Sequence, residues 1–597
     1  MRITATARAA CIILLKLVSP GPSPILPQTR DSAADALIGV WGVEESFGPT
    51  ARGTLTIDGR EKSWRANIAG YAATVQRNGD SVRFVLPDGE GEFRGHLTAD
   101  MQAIFGHWIE PGGEILNNRY ATPATLSLLD KSIWRGNVTP LEQRISLYIS
   151  VERDASGMLT AFISNPEMNF FRRRQYTVAR SGTAVTLTNG NRVIRGTFDA
   201  NSDTLTLTVV DFMPSFRFSR RRDRDAIGFY PRVAQDAQPY VYRRPIQTGD
   251  GWATASVEEV GLDRHLISAL VEKILSADLA NNPAYIQSLL IARHGRLALE
   301  EYFYGFSEAR THDTRSAGKT LATILAGIAR DYGAKIAPDT PVYSLFPQYH
   351  DAFANWDERK RRVRLRDIMS MTAGNACDDN DDNSPGNEDQ MQQQQAQPDW
   401  YKYTLDLPML RDPGEEHAIY CSADLNLVGG AVASATGRWL PDFFDEYLAR
   451  PLQFGLYHLN LTPTGDAYMG GGAYLRARDE LKIGQLYLGG GVWNGRRVVS
   501  EDWVKESTAH HSSFTPAMPD EGAHEYGYGW HIHHLRLGNR VFRDYAAEGN
   551  GGQFVIVVPD LDLVVGINGG SYGEFAKWYR WEFDLVPQYV LAATSNQ

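Results

Sequence analysis

The chain has 597 residues, 43% hydrophobic, 22% charged and 11% aromatic, and its 60 basic against 71 acidic side chains leave a net charge of −11. Collagen-like, coiled-coil and disordered classes are excluded, since 55 Gly and 29 Pro carry no period; a net acidic chain is a poor general binder of nucleic acid, and three cysteines make no disulfide scaffold. No apolar run reaches the roughly 18 to 20 residues of a membrane span, and at roughly 150 residues per domain, allowing for large single enzyme folds, two or three domains are expected.

Residues 1–30 open with Arg2 and Arg8, continue with the apolar run Ala9 to Leu15, and end in a Pro/Ser-rich tail after Lys16. This is read as a signal peptide, which makes the chain secreted or periplasmic, with a cytoplasmic leader as the alternative. Residues 36–230 consist of short alternating runs such as GTLTIDG and DTLTLTVV, broken by Gly, Asn and Asp, an all-β pattern. The region is internally duplicated. Trp41-Gly42 returns as Trp134-Arg135-Gly136, VQRNGDSVRF as VARSGTAVTL, and Phe93-Arg94-Gly95 as Ile194-Arg195-Gly196. Two such halves predict a barrel or sandwich, and the GxW-like openings resemble lipocalin-type barrels. The cluster Arg220, Arg221, Arg222, Arg224 alternates with Asp223 and Asp225 and reads as a solvated boundary.

Residues 231–252 have a Pro/Tyr/Arg-rich linker composition. From 253 to 597 the style changes. Helical periods at about 261–276, 316–332, 422–436, 440–450, 477–488 and 572–590 mix with strands at about 286–292, 297–303, 553–558 and 562–567, predicting an α/β or α+β domain. Within it, the acidic, Gln-rich stretch 376–398 has no apolar period and is expected to be a mobile loop.

The chain has only eleven lysines, at 16, 62, 131, 273, 319, 335, 360, 402, 482, 505 and 577, and one of them alone has a serine three residues before it: Ser316-Ala317-Gly318-Lys319. At the start of a helix that spacing puts the amine beside the hydroxyl on one face, and burial would lower the lysine pKa so that it acts as a base. The bland alternative is an N-cap serine and an exposed lysine.

ARSAGKTLATILAGIARDYG, LRDIMSMTAG (365–374), PGEEHAIYCSADLNLVGGAVASATG (413–437) and AAEGNGGQFVIVVPDLDLVVGINGG (546–570) together resemble the serine hydrolases of the β-lactamase and penicillin-binding-protein superfamily. The class C β-lactamase-like group, with its esterases and amidases, is the most similar type. The resemblance covers about residues 250–595 and implies an antiparallel five-stranded sheet flanked by helices. It also implies an acyl-enzyme on Ser316, with Lys319 as its base, Tyr420 as the second motif's tyrosine and Ser422 at the position that commonly holds Asn or Ser. A phenol beside a lysine ammonium is expected to have a lowered pKa and to take the Ser316 proton, while Ser422 is expected to orient Lys319.

The third motif departs from that pattern. Where the family has Lys or His, a small residue and Gly, this chain has Ala547-Glu548-Gly549. The cation that would recognise a substrate carboxylate is replaced by an acid, which disfavours penicillins and peptide C-termini and favours neutral or cationic esters and amides. The amides of Asn550 and Ser316 are the expected oxyanion hole, and Gly549, Gly551 and Gly552 suit close approach of a substrate to the strand. His531, His533 and His534 in HIHH alternate faces and lack a carboxylate or Cys at ligand spacing, so no metal and no cofactor is expected. His510-His511 is judged likewise. Cys377 and Cys421 neighbour the site elements and are a candidate disulfide, and Phe575, Trp578, Trp581 and Phe583 read as helix packing.

The resulting expectation is a metal-independent serine hydrolase of a small ester, amide or peptide-like substrate, with no nucleic-acid partner. Two alternatives stand beside it: a penicillin-binding sensor or slow β-lactamase or D-Ala peptidase, and a catalytically silent binding protein that uses the β domain.

Overall fold

The computed structural model describes residues 34–594 except 62, 113–117, 170, 172–173, 210–214, 223–226, 233–238, 277–284, 351, 394–397 and 519–520. The proposed leader, Cys11, and Asp223, Arg224 and Asp225 lie outside the described residues.

The duplicated region is all-β. Eight strands close a barrel in the order Gly39–Phe47, Gln143–Arg153, Leu159–Ser164, Gln175–Ser181, Ala184–Asn189, Arg192–Asp199, Thr204–Thr208 and Phe216–Arg221. The nine strands from Gly53–Asp58 to Ile133–Val138 belong to a second sheet. Counted from their tryptophans, the two halves exchange opening strands. Gly39–Phe47, carrying Trp41, pairs with Gln143–Arg153 and Phe216–Arg221 of the second half, while Ile133–Val138, carrying Trp134, pairs with Gly53–Asp58 and Arg119–Asp130 of the first. Both indoles are fully buried, and each donates its N–H to a backbone carbonyl, of Leu37 and Met101 respectively. This reciprocal pairing interlocks the halves, a connection that periodicity alone does not reveal.

The repeated glycines have a steric cause. A Cβ on Gly95 would stand 2.7 Å from the carbonyl oxygen of Phe105, and one on Gly196 1.8 Å from that of Thr206. Each strand approaches its neighbour too closely for a side chain. At the barrel's last strand, Arg220 pairs with Asp203 and lies over the Trp41 ring at 4.2 Å, and Arg221 pairs with Glu44. The basic cluster is therefore tied to the barrel, and the solvated-boundary reading holds only in part.

In the C-terminal domain a nine-stranded sheet runs in the order Ala253–Thr254, Arg296–Tyr302, Ile286–Arg293, Leu563–Gly569, Gln553–Val558, Arg540–Gly549, His531–Leu537, His524–Tyr526 and Ser512–Phe514. It is antiparallel except for its first pair, and larger than the five strands expected. Lys319–Asp331, Ser422–Thr436 and Ala477–Leu488 match the predicted helices. Their apolar faces meet the sheet in one core that includes Ile324, Leu325, Val428, Leu481, Val555 and Val564.

The two regions share a sheet. His458–Leu461 pairs with Arg119–Asp130 of the β region and with Ala473–Arg476, which in turn pairs with Thr311–Asp313, three residues ahead of Ser316. The stretch before the C-terminal domain is held as well: Tyr240 donates to Glu301 at 2.6 Å and Tyr242 to the carbonyl of Ala298 at 2.8 Å.

Candidate active site

Strand Thr311–Asp313 leads through a single helical turn, Arg315–Gly318, into Lys319–Asp331. Arg315 takes a positive φ of 47°, a conformation costing on the order of 1 kcal/mol. It is held there by its amide, which donates to Asp313 at 2.9 Å, and by its guanidinium, which pairs with the same carboxylate at 3.0 Å and lies over Tyr572. Gly318 is required because a Cβ would meet Thr314 Oγ1 at 2.7 Å. The turn delivers Ser316 and Lys319 to one place: Lys319 Nζ donates to Ser316 Oγ at 2.9 Å. Lys319 is only 2% exposed, and burial holds its pKa below the ordinary lysine value, against the opposing pull of Glu388 and Asp379.

Tyr420 completes the pocket. Its ring lies 4.8 Å from Lys319 Nζ and its hydroxyl is engaged with Ser316. The expected lowering of its pKa is not found. Burial drives it upward, and the hydrogen bond from Ser316 recovers only part of the shift. Ser422 also acts differently from the expectation, since both its amide and its hydroxyl donate to Asp379 Oδ2, at 2.7 and 2.6 Å. Ser422 reaches Lys319 only through that carboxylate.

Asp379 lies in the stretch expected to be a mobile loop. Residues 376–393 are instead built, with a short helix Glu388–Gln392, and are fastened by a Cys377–Cys421 disulfide. Asp379 accepts the amides of Ser422 and Glu388, and Glu388 accepts the hydroxyl of Tyr468 at 2.6 Å. Asp379 and Glu388 were missed in the sequence because acidic low-complexity composition hides which carboxylates fold inward, and Tyr468 because its partner Glu388 lies 80 residues away along the chain.

Strand Arg540–Gly549 forms the opposite wall. A Cβ on Gly549 would meet Thr314 O at 2.5 Å and Ala317 N at 3.1 Å, so the strand is pressed against the Ser316 turn. Gly549 and Asn550 line the cavity with Ser316 and Tyr420, whereas Gly551 is absent from its lining and turns to the 569–572 segment, where its carbonyl accepts Ser571 N at 3.0 Å. Asn550 Oδ1 accepts the amide of Gly573. Glu548 also lines the cavity, but burial pushes its pKa up to about 8 and its Oε1 receives His533 Nε2 at 2.7 Å.

The expectation for HIHH needs correction at this point. His531 and His533 sit two residues apart on one face of their strand, with His524 beside them, and carboxylates do reach them. Glu548 comes from the neighbouring strand and Glu582 from the C-terminal helical segment, sequence distances that no local spacing encodes. His511 stacks on Tyr528. Trp581 and Trp578 are buried as expected, though Trp578 also lines the cavity, and Phe575 is 53% exposed and lines it too.

The cavity measures about 1270 Å³ and is walled by both regions: Tyr120, Arg144, Asn165 and Phe216 from the β region face Ser316 and Tyr420. The β region is therefore part of the site's wall.

Residues 285–576 match the family model described as Beta-lactamase. That segment, just under half of the chain, is what is similar to the family. The matched segment holds Ser316, Lys319, Tyr420 and Glu548. The chain is also 28% identical over 247 residues, 39% of its own length, to the 6-aminohexanoate-dimer hydrolase of Paenarthrobacter ureafaciens, and the match spans 59% of that relative. Among solved structures it is similar to a putative 6-aminohexanoate-dimer hydrolase from Bacillus anthracis, with 16% identity, TM-score 0.43, and coverage of 61% of this chain and 88% of that one. It is also similar to a penicillin-binding-protein homologue from Caulobacter crescentus, with 15% identity, TM-score 0.43, and coverage of 56% and 98%. Among the described residues, no helix of the chain is long and apolar enough to cross a membrane.

Proposed function

We propose that the chain is a serine hydrolase that cleaves a small ester or amide through an acyl-enzyme on Ser316. The observation that carries this reading is the 2.9 Å contact between Ser316 Oγ and the buried Lys319 amine. Burial lowers the pKa of that amine, which makes its neutral, proton-accepting form easier to reach than for an exposed lysine. In the first half-reaction Ser316 Oγ bonds to the substrate carbonyl carbon as its proton passes to Lys319. The bond to the leaving nitrogen or oxygen then breaks, and the proton reaches the departing group through the Tyr420 hydroxyl. A phenol held above its ordinary pKa suits that relay better than service as a standing tyrosinate. Water then repeats the sequence on the acyl-enzyme. The amides of Ser316 and Asn550 are assigned to the developing oxyanion.

The absence of a cation at Ala547-Glu548-Gly549 removes a recognition group for a free carboxylate and supports neutral or cationic substrates. The name of the curated relative makes a linear amide the first substrate class to assay. The disulfide supports an exported chain, since such bonds persist in oxidising compartments. The test is a panel of ester, linear amide and β-lactam substrates against wild type and Ser316→Ala. Turnover of one class by wild type alone supports the reading, and equal turnover by the variant removes it.

A further inference from the structure

Behind the cavity wall lies a cluster that the proposed hydrolysis does not use. His524, His531 and His533 are 5%, 7% and 0% exposed, and Glu521, Asp544, Glu548 and Glu582 are 4%, 0%, 4% and 0% exposed. Among the described residues, Glu521 and Glu548 form ion pairs with these histidines and with no lysine or arginine. Glu548 Oε2, both oxygens of Asp544 and both of Glu582 are buried without a well-formed hydrogen bond. An ionised carboxylate buried without a cation costs several kcal/mol, so these acids hold protons unless a cation joins them.

Its donor atoms lie close enough together to be gathered by one cation. His524 Nε2 and His531 Nδ1 are 2.8 Å apart, His533 Nε2 and Glu548 Oε1 2.7 Å, and His531 Nδ1 and Glu548 Oε1 3.9 Å. Ligand atoms about 2.1 Å from a tetrahedral zinc stand about 3.4 Å from one another, so these separations bracket the required value. The three histidines each bring one nitrogen within 4.8 Å of the others, and His533, Glu548 and Glu582 form a second such triad that shares His533. Imidazole-rich sites with one carboxylate suit zinc-class metals. His524, His531 and Glu548 also line the cavity, which gives an entry path.

We propose that His524, His531, His533 and Glu548 bind one zinc-class divalent metal ion in the wall of the cavity. Glu521 and Glu582 stand behind the first ligands: Glu521 Oε1 is 2.9 Å from His524 Nδ1, placed to hold that ring's far nitrogen and orient the other inward. The ion supplies the charge that the buried carboxylates lack, and no reacting atom is routed through it, so the site stands or falls independently of the hydrolase reading.

The test uses the full chain, stripped with a chelator, dialysed and titrated with zinc chloride, with bound metal measured by mass spectrometry and affinity by competition with a chromophoric chelator. The expected result is one zinc per chain. Affinity should fall at least tenfold in His524→Ala and His533→Ala and be unchanged in His534→Ala, whose side chain points away from the cluster. If the alanine variants fail to fold, cobalt added to wild type decides the matter: one equivalent should give intense visible bands of a four-coordinate ion, displaced by one equivalent of zinc. Zinc bound no more tightly by wild type than by His524→Ala, or cobalt giving only the weak spectrum of the hydrated ion, would overturn the proposal.

Discussion

Asp379 accepts both the amide and the hydroxyl of Ser422 through one carboxylate oxygen, at 2.7 and 2.6 Å, and its charge pulls the Lys319 pKa upward against burial. The acidic segment thereby tunes the base. Burial and the neighbouring Glu388 raise Asp379 itself to about 6, so it is ionised above that pH. Asp379→Asn should let the Lys319 pKa fall further and move the acid limb of the kcat/KM profile to lower pH. An unshifted limb with reduced kcat would make Asp379 a purely structural residue.

Lys319 carries a stability cost with a definite pH sign. Its folded pKa lies below the ordinary 10.5, so the unfolded chain binds the extra proton and stability rises with pH across that interval. Lys319→Met should therefore abolish turnover yet stabilise the fold, by about 1 to 2 kcal/mol at neutral pH. That gain should fade as pH approaches 10.5. Urea melts at two pH values read it, and a destabilised variant would show that the ammonium is well solvated.

The Cys377–Cys421 bond closes a loop with a sequence separation of 44, for which chain entropy gives about 4 kcal/mol as an upper figure. Cys377→Ser with Cys421→Ser should lower the unfolding free energy by about 2 to 4 kcal/mol. It should also loosen Asp379 and Glu388, read as faster hydrogen exchange over residues 376–393. Unchanged exchange would mean that the Asp379 and Tyr468 hydrogen bonds hold the segment unaided.

In the barrel, Gly196→Ala would place a methyl 1.8 Å from the Thr206 carbonyl oxygen. The strands must separate or bulge, at a cost above about 2 kcal/mol. The same change at Gly190, where a Cβ meets nothing within 4 Å but φ is +55°, should cost only about 1 kcal/mol through backbone strain. Thermal melts of the two variants compare close approach with strain.

Much of this was legible in the sequence, and the parts that were not share a cause. Ser316 and Lys319 are three residues apart on one helical turn, so their contact follows from helix geometry, as do the helices and strands with clear periods. The duplicated β region was visible in its repeated Trp and Gly positions, yet the exchange of the Trp41 and Trp134 strands depends on which half closes first in space. The Asp379 carboxylate was hidden in a composition that usually signals disorder. The carboxylates beside HIHH were hidden because Glu548 and Glu582 lie 15 and 49 positions from His533 along the chain and meet it only through the fold. The Tyr420 pKa was misjudged because a nearby ammonium was weighed without the desolvation that full burial adds.

The central claim is the Ser316 nucleophile. A fluorophosphonate probe incubated with the folded chain, followed by peptide mass spectrometry, should place the adduct on Ser316 in wild type and leave Ser316→Ala unlabelled and without turnover. Labelling at another serine, or turnover retained by Ser316→Ala, would contradict the account.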